Sequence, residues 1–168
     1  MDTDLEQIGF GGGCHWCTEA VFQSLVGIED VAQGFIKSVP PADTWSEAVI
    51  VTFNPEIVEF AVLIEIHLRT HASMSPHKMR GKYRSAIYTF HDAQDDVSQG
   101  ELNRLQPGFD EEIITSILPF VEFKSSDERF HNYYQTDPKR PFCKTYIDPK
   151  LTVLRQQYAD QFRKSDSD

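Results

Sequence analysis

The chain has 168 residues, of which 40% are hydrophobic and 25% charged, the proportions of one ordinary globular domain. A formal net charge of −10 argues against a nucleic-acid partner, and no apolar run is long enough for a membrane span or a signal peptide. Three cysteines do not make a secreted disulfide framework, so the expected setting is a reducing cytoplasm, with a single domain over residues 5–164 and flexible ends at 1–4 and 165–168.

In chain order, a short strand at Gln7 to Gly11 runs into three glycines, and a helix is predicted from Cys17 to Leu25, with Val21 and Leu25 on one face and Gly27 ending it. Two strand-like runs follow, Val31 to Lys37 and Ala48 to Phe53, parted by the turn-forming Ser38 to Asp43. Asn54-Pro55 reads as N-cap and first residue of a helix over Glu56 to His71, and Ser85 to Phe90 reads as a strand. This β-α-β-β-α-β order predicts an α+β fold with a ferredoxin-like split β-α-β core. Beyond it come a helix (Ala93 to Leu105), a strand (Glu112 to Leu118), a short helical piece near Asp127 to Tyr134 and an amphipathic helix from Pro149 to Phe162. This C-terminal extension is expected to wrap back over the core.

The stretch Gly11-Gly12-Gly13-Cys14-His15-Trp16-Cys17-Thr18-Glu19 carries two of the three thiols. Between a strand end and a helix N-terminus, unpaired N–H groups and the helix dipole favour a thiolate at Cys14 and lower its pKa. The glycines allow the tight turn. Three chemistries suit such a stretch: a nucleophile, a dithiol exchanging disulfides, and a metal half-site. A closed zinc site needs four ligands, and only Cys143 plus one histidine remain to complete it. His67 and His71 lie four apart, but Leu68 stands where a zinc protease needs glutamate, so they are expected on a last helical turn.

Four segments resemble the A-type peptide methionine sulfoxide reductases. Gly13-Cys14-His15-Trp16-Cys17-Thr18-Glu19 is similar to that family's Gly-Cys-Phe-Trp-Gly-x-Glu signature. Ser46-Glu47-Ala48-Val49 with Phe53-Asn54-Pro55 resembles its Ala-Glu-Ala-Val…Tyr-Asp-Pro strand. Tyr83-Arg84-Ser85-Ala86-Ile87-Tyr88 reproduces its Tyr-Arg-Ser-Ala-Ile-Tyr segment. Phe130-His131, Pro141-Phe142-Cys143 and Pro149-Lys150-Leu151 resemble the C-terminal part of members with a recycling cysteine. The resemblance implies reduction of the S epimer of methionine sulfoxide, free or in proteins. Cys14 would be the nucleophile, Glu47 and Tyr83 would bind and protonate the oxygen, and Trp16 and His15 would wall the methyl group. Attack leaves a sulfenic acid that a second thiol resolves: Cys143 by the segment match, with Cys17 as its rival or as a relay. Thioredoxin or another dithiol would complete the cycle, without cofactor or metal.

The chain also departs from the family pattern. His15 replaces the signature Phe. The loop between Gly34 and Glu47 is shortened, and no Tyr lies in Phe35 to Ser46, where the family has a second oxygen-binding Tyr; Trp45 is the nearest aromatic. Lys78 stands where the family has Asp, in a segment that alternates Lys78, Arg80, Lys82 and Arg84 and is expected to create a local positive field. These changes predict weakened or altered catalysis. A binding or thiol-sensing paralogue and a Cys-x-x-Cys disulfide oxidoreductase are the rival readings.

Overall fold

The computed structural model describes residues 4–71 and 83–162. Lys78, Arg80 and Lys82 of the basic segment lie outside the described residues.

The β-α-β-β-α-β core forms as expected. β1 (Glu6–Gly11), α1 (His15–Gln23), β2 (Ile28–Lys37), β3 (Ser46–Phe53), α2 (Phe60–Arg69) and β4 (Ala86–Thr89) follow one another. Strand β3 lies between β1 and β2 and runs antiparallel to both, and β1 pairs antiparallel with β4. Two further strands extend the sheet to the order β5-β4-β1-β3-β2-β6, with β5 (Ser116–Pro119) parallel to β4 and β6 (Glu122–Ser125) antiparallel to β2.

β5 and β6 sit on opposite edges of the sheet yet are joined by only Phe120 and Val121. A flat six-stranded sheet would hold its edges about 24 Å apart, whereas that link spans about 11 Å at most. The sheet is therefore curled, and the link stitches its edges together: Phe120 N–H donates to the Thr89 carbonyl, Val121 N–H to the Lys37 carbonyl, and Ser38 Oγ to the Pro119 carbonyl.

Alternation along the strands separates two apolar layers. Ile8, Phe10, Val49, Val51, Phe53 and Ile87 face the helices and the main core, where Phe10 stacks on Phe22 with ring centres 4.7 Å apart. Ile36, Ala48, Ala86 and Tyr88 form a smaller cluster on the other side. Period two along β3 gives Glu47 the parity of Val49 and Val51, and so directs it towards the helices.

Three boundaries differ from expectation. Asn54 does not cap a helix at once: its side chain accepts from Glu56 N–H at 2.9 Å and its carbonyl from Val58 N–H, an Asx-type turn that delays α2 to Phe60. The single strand expected over Glu112 to Leu118 is instead the short pair β5 and β6. The tail opens with a π-type turn at Cys143–Ile147 and continues as α5 (Asp148–Gln157), after α3 (Asp92–Leu105) and the one-turn α4 (Tyr133–Thr136). The tail does fold back: Val26 N–H donates to the Gln161 carbonyl, and Leu25 bridges Phe162.

Candidate active site

The site lies where β1 hands over to α1. Cys14 is the N-cap of α1, extended at φ −61° and ψ 128°, and its carbonyl accepts from Cys17 N–H at 3.1 Å and Thr18 N–H at 3.2 Å. The preceding turn is held from below. His67 Nε2 contacts the Gly11 carbonyl at 2.7 Å, and the His71 ring packs so close that a Cβ on Gly12 would stand 2.4 Å from its Cδ2. Only glycine fits there. His67 is on the last turn of α2, as expected, but both histidines serve as a floor for the glycine turn: they stack at 4.2 Å, and His71 Nε2 contacts Ser85 Oγ at 2.7 Å.

Strand β3 brings Glu47 to the start of α1. Glu47 is 6% exposed, and its Oε1 lies 3.2 Å from His15 N, which donates to it, and 3.3 Å from His15 Nδ1. Cys14, His15 and Glu47 bring their sulfur, ring nitrogen and carboxylate oxygen all within 4.8 Å of one another. Phe35, paired with Glu47 in the β2–β3 ladder, sets its ring edge-on to His15 at 5.4 Å. The sequence reading missed Phe35, because only strand register reveals it.

Trp16 is the centre of an aromatic cluster. It stacks on Tyr133 at 4.3 Å and 9° and meets Phe130 and Phe142 at 5.3 Å each. Glu19, buried one turn into α1, anchors this cluster. Its carboxylate accepts from Asn132 N–H at 2.9 Å and Tyr133 N–H at 3.1 Å. Burial pushes the Glu19 carboxyl above its ordinary value, and these two N–H groups partly offset that.

Tyr83 is half-buried at the start of its segment, and its position is set by its neighbour. Arg84 N–H donates to Ser46 Oγ at 2.7 Å, and its guanidinium bonds the Ile36 and Thr44 carbonyls. Arg84 thus ties the Tyr83 segment to the residue before Glu47, and serves as a clamp. Trp45 is engaged by Lys37 and Lys124, whose ammonium groups lie 4.5 and 4.9 Å from its ring centre.

Behind Cys14 lies a cavity lined by Gly13, Cys14, Cys17, Thr18, His71 and Lys150. Here the expectation of an acidified Cys14 is corrected. The Cys14 thiol is held up, first by its hydrogen bond to Cys17 and then by burial, while the His15 ring and Trp16 N–H act in the opposite sense. Cys17 is held down, first by accepting that bond, against its own burial and with help from the Lys150 ammonium. The hydrogen bond between the two sulfurs thus disfavours ionisation at Cys14 and favours it at Cys17. Lys150, whose Nζ donates to the Thr70 carbonyl, is itself lowered by burial and partly restored by the two sulfurs. It stands in the Pro149-Lys150-Leu151 segment but received no role from the sequence.

Cys143 is fully buried in the main core and donates to the Asp137 carbonyl at 3.6 Å. Its neighbour Phe142 touches Trp16, and burial pushes the Cys143 thiol up. No disulfide joins any of the three cysteines.

Two vicinal thiols at a helix start, facing a buried carboxylate across a glycine turn, define a cysteine-based redox site. The family model of peptide methionine sulfoxide reductase matches residues 6–162, and the chain belongs to that family. A peptide methionine sulfoxide reductase MsrA from Deinococcus radiodurans is 33% identical over 94% of this chain and 84% of its own length; one from Sulfolobus acidocaldarius is 27% identical over 94% and 97%. Among solved structures, the reduced form of Mxr1 from Saccharomyces cerevisiae has the same fold at a TM-score of 0.72, with 22% identity over 86% of this chain and 94% of that one. Mxr1 has also been solved in complex with Trx2, at a TM-score of 0.62 and 21% identity over 77% of this chain and 88% of that one.

Proposed function

We propose that this chain reduces the S epimer of methionine sulfoxide, free or within proteins, through the Cys14 sulfur. The observation that carries this reading is the close grouping of the Cys14, His15 and Glu47 acting atoms at the start of α1. Proton transfer across the Cys14–Cys17 hydrogen bond moves the anion from Cys17 to Cys14, so Cys17 acts as the base that arms the nucleophile. The Cys14 thiolate then attacks the sulfoxide sulfur while a proton from Glu47 passes to its oxygen, and the hydroxyl so formed moves from that sulfur to the Cys14 sulfur as the two sulfurs part. The products are methionine and a Cys14 sulfenic acid.

The Cys17 thiol, already in contact, attacks that sulfenic acid to form a Cys14–Cys17 disulfide and release water. Cys143 then attacks the Cys17 sulfur and frees Cys14. The contact favours Cys17 for the first step, and the match of Pro141-Phe142-Cys143 to the family's recycling segment favours Cys143 for the second. A thioredoxin-type dithiol completes the cycle, in keeping with the solved Mxr1–Trx2 complex. A cytoplasmic setting belongs to the same proposal; among the described residues no helix is long and apolar enough to cross a membrane.

Turnover of epimer-resolved methionine sulfoxide with a dithiol tests the reading. It predicts activity on S alone, abolished in Cys14→Ser. Activity confined to protein disulfides would replace it with the dithiol oxidoreductase reading, and a folded chain inert towards both would leave a binding role.

A further inference from the structure

We propose that Cys14, His15 and Glu47 form a site for one zinc-type divalent cation, and that the loaded site withholds the nucleophile. The second clause rests on the reductase reading; the first does not. A thiolate, an imidazole and a carboxylate are a common mixed set for zinc, and three protein ligands with one open position describe its non-structural sites. Two of the charges are negative and balance the cation when the Cys14 thiol releases its proton to solvent.

The geometry fits. With zinc–nitrogen and zinc–oxygen bonds of about 2.0–2.1 Å, the edge between two tetrahedral ligands is about 3.3–3.4 Å. His15 Nδ1 and Glu47 Oε1 stand 3.3 Å apart. The Cys14 sulfur lies within 4.8 Å of both other ligand atoms, so all three donors converge on one place. Glu47 is tied to the main chain at His15, and Cys14 and His15 are neighbours at a helix start, so the ligands are held before any ion arrives.

An independent observation points the same way. His15 is 6% exposed, and its Nδ1 makes no hydrogen bond among the described residues although it faces the carboxylate. A buried polar nitrogen held only by this 3.3 Å ion-pair contact, without a well-directed hydrogen bond, is costly, and coordination satisfies it. An approach exists as well: Cys14 is only half-buried, and a Cβ placed on Gly13 would meet nothing within 4 Å. The phenylalanine of the family signature has no donor atom, so the third ligand comes with His15. The Lys150 ammonium lies on the Cys17 side and is engaged with the Thr70 carbonyl.

The test titrates the full reduced chain anaerobically with Co2+, then displaces it with Zn2+. The expected result is one ion per chain, with a thiolate-to-cobalt charge-transfer band and tetrahedral d–d bands. Both should vanish in Cys14→Ser and persist in Cys17→Ser. His15→Phe should weaken binding by more than about tenfold, the scale at which even outer partners of a metal site act. Zn2+ should also inhibit parent turnover, with a chelator restoring it. A chain with native circular dichroism that retains no stoichiometric ion overturns the proposal, as does binding that survives His15→Phe unchanged or is lost in Cys17→Ser.

Discussion

Glu47 Oε1 lies 3.2 Å from the main-chain nitrogen of His15 and 3.3 Å from its Nδ1, so one carboxylate oxygen both starts α1 and sets the imidazole beside Cys14. This gives Glu47 a structural and a chemical task that one substitution separates. Glu47→Gln keeps an oxygen able to accept from His15 N–H but cannot pass a proton to the substrate. The expected outcome is an unchanged melting temperature with kcat lower by about 10²–10³, the scale of one lost preorganised donor. Steady-state kinetics beside a thermal melt checks it.

The shared proton of the dithiol has a definite sign. Cys14 is held up chiefly by donating to Cys17. Cys17→Ala removes that acceptor, so the pH midpoint for alkylation of Cys14 should fall, even though burial still opposes ionisation. Iodoacetamide labelling against pH, read by mass spectrometry at Cys14, measures the shift. A midpoint that rises would show that Cys17 was not the acceptor.

Lys150 acts on the other sulfur. Its ammonium helps hold Cys17 down, and Lys150→Met removes the charge while keeping much of the stem's packing. The first proton should then leave the dithiol at higher pH, and turnover near neutrality should slow with little change in fold. An alkylation profile that coincides with the parent's would remove Lys150 from the mechanism.

The order of disulfides can be read directly. After one equivalent of sulfoxide and rapid acid quenching, peptide maps should show Cys14–Cys17 first and a bridge to Cys143 later. Cys143→Ser should spare the first turnover and arrest recycling by thioredoxin. A Cys14–Cys143 bridge appearing at the earliest time would make Cys143 the direct resolving thiol.

Glu19 couples stability to pH. Its carboxyl is raised in the folded state above the ordinary 4.5, so between those two values the folded chain binds more protons than the unfolded one. Its contribution to stability is therefore greatest below 4.5 and is lost as pH rises through the raised value. Glu19→Gln should flatten this part of the pH profile in denaturant melts. Glu19→Ala, which leaves the Asn132 and Tyr133 N–H groups without an acceptor, should cost about 2 kcal/mol and loosen the tail from Trp16.

Much of this protein was determined locally and is legible in the chain. Period-two alternation over Ala48 to Phe53 and the glycine run before Cys14 specify the β-α-β-β-α-β core, the turn and the side of the sheet on which Glu47 lies. These follow from backbone sterics and the burial of one face, which act over a few residues. What only the tertiary structure decided concerns partners distant in sequence. The pairing of Phe35 with Glu47 depends on strand register, and β5 and β6 exist because curled edges offer them unpaired groups. Glu19 finds its acceptor role more than a hundred residues away, at Asn132 and Tyr133. The direction of the Cys14 thiol shift also escaped local reasoning. A helix N-terminus favours a thiolate, but desolvation, a second sulfur and a lysine from the last helix act at once, and their balance exists only when the folded chain has brought them together.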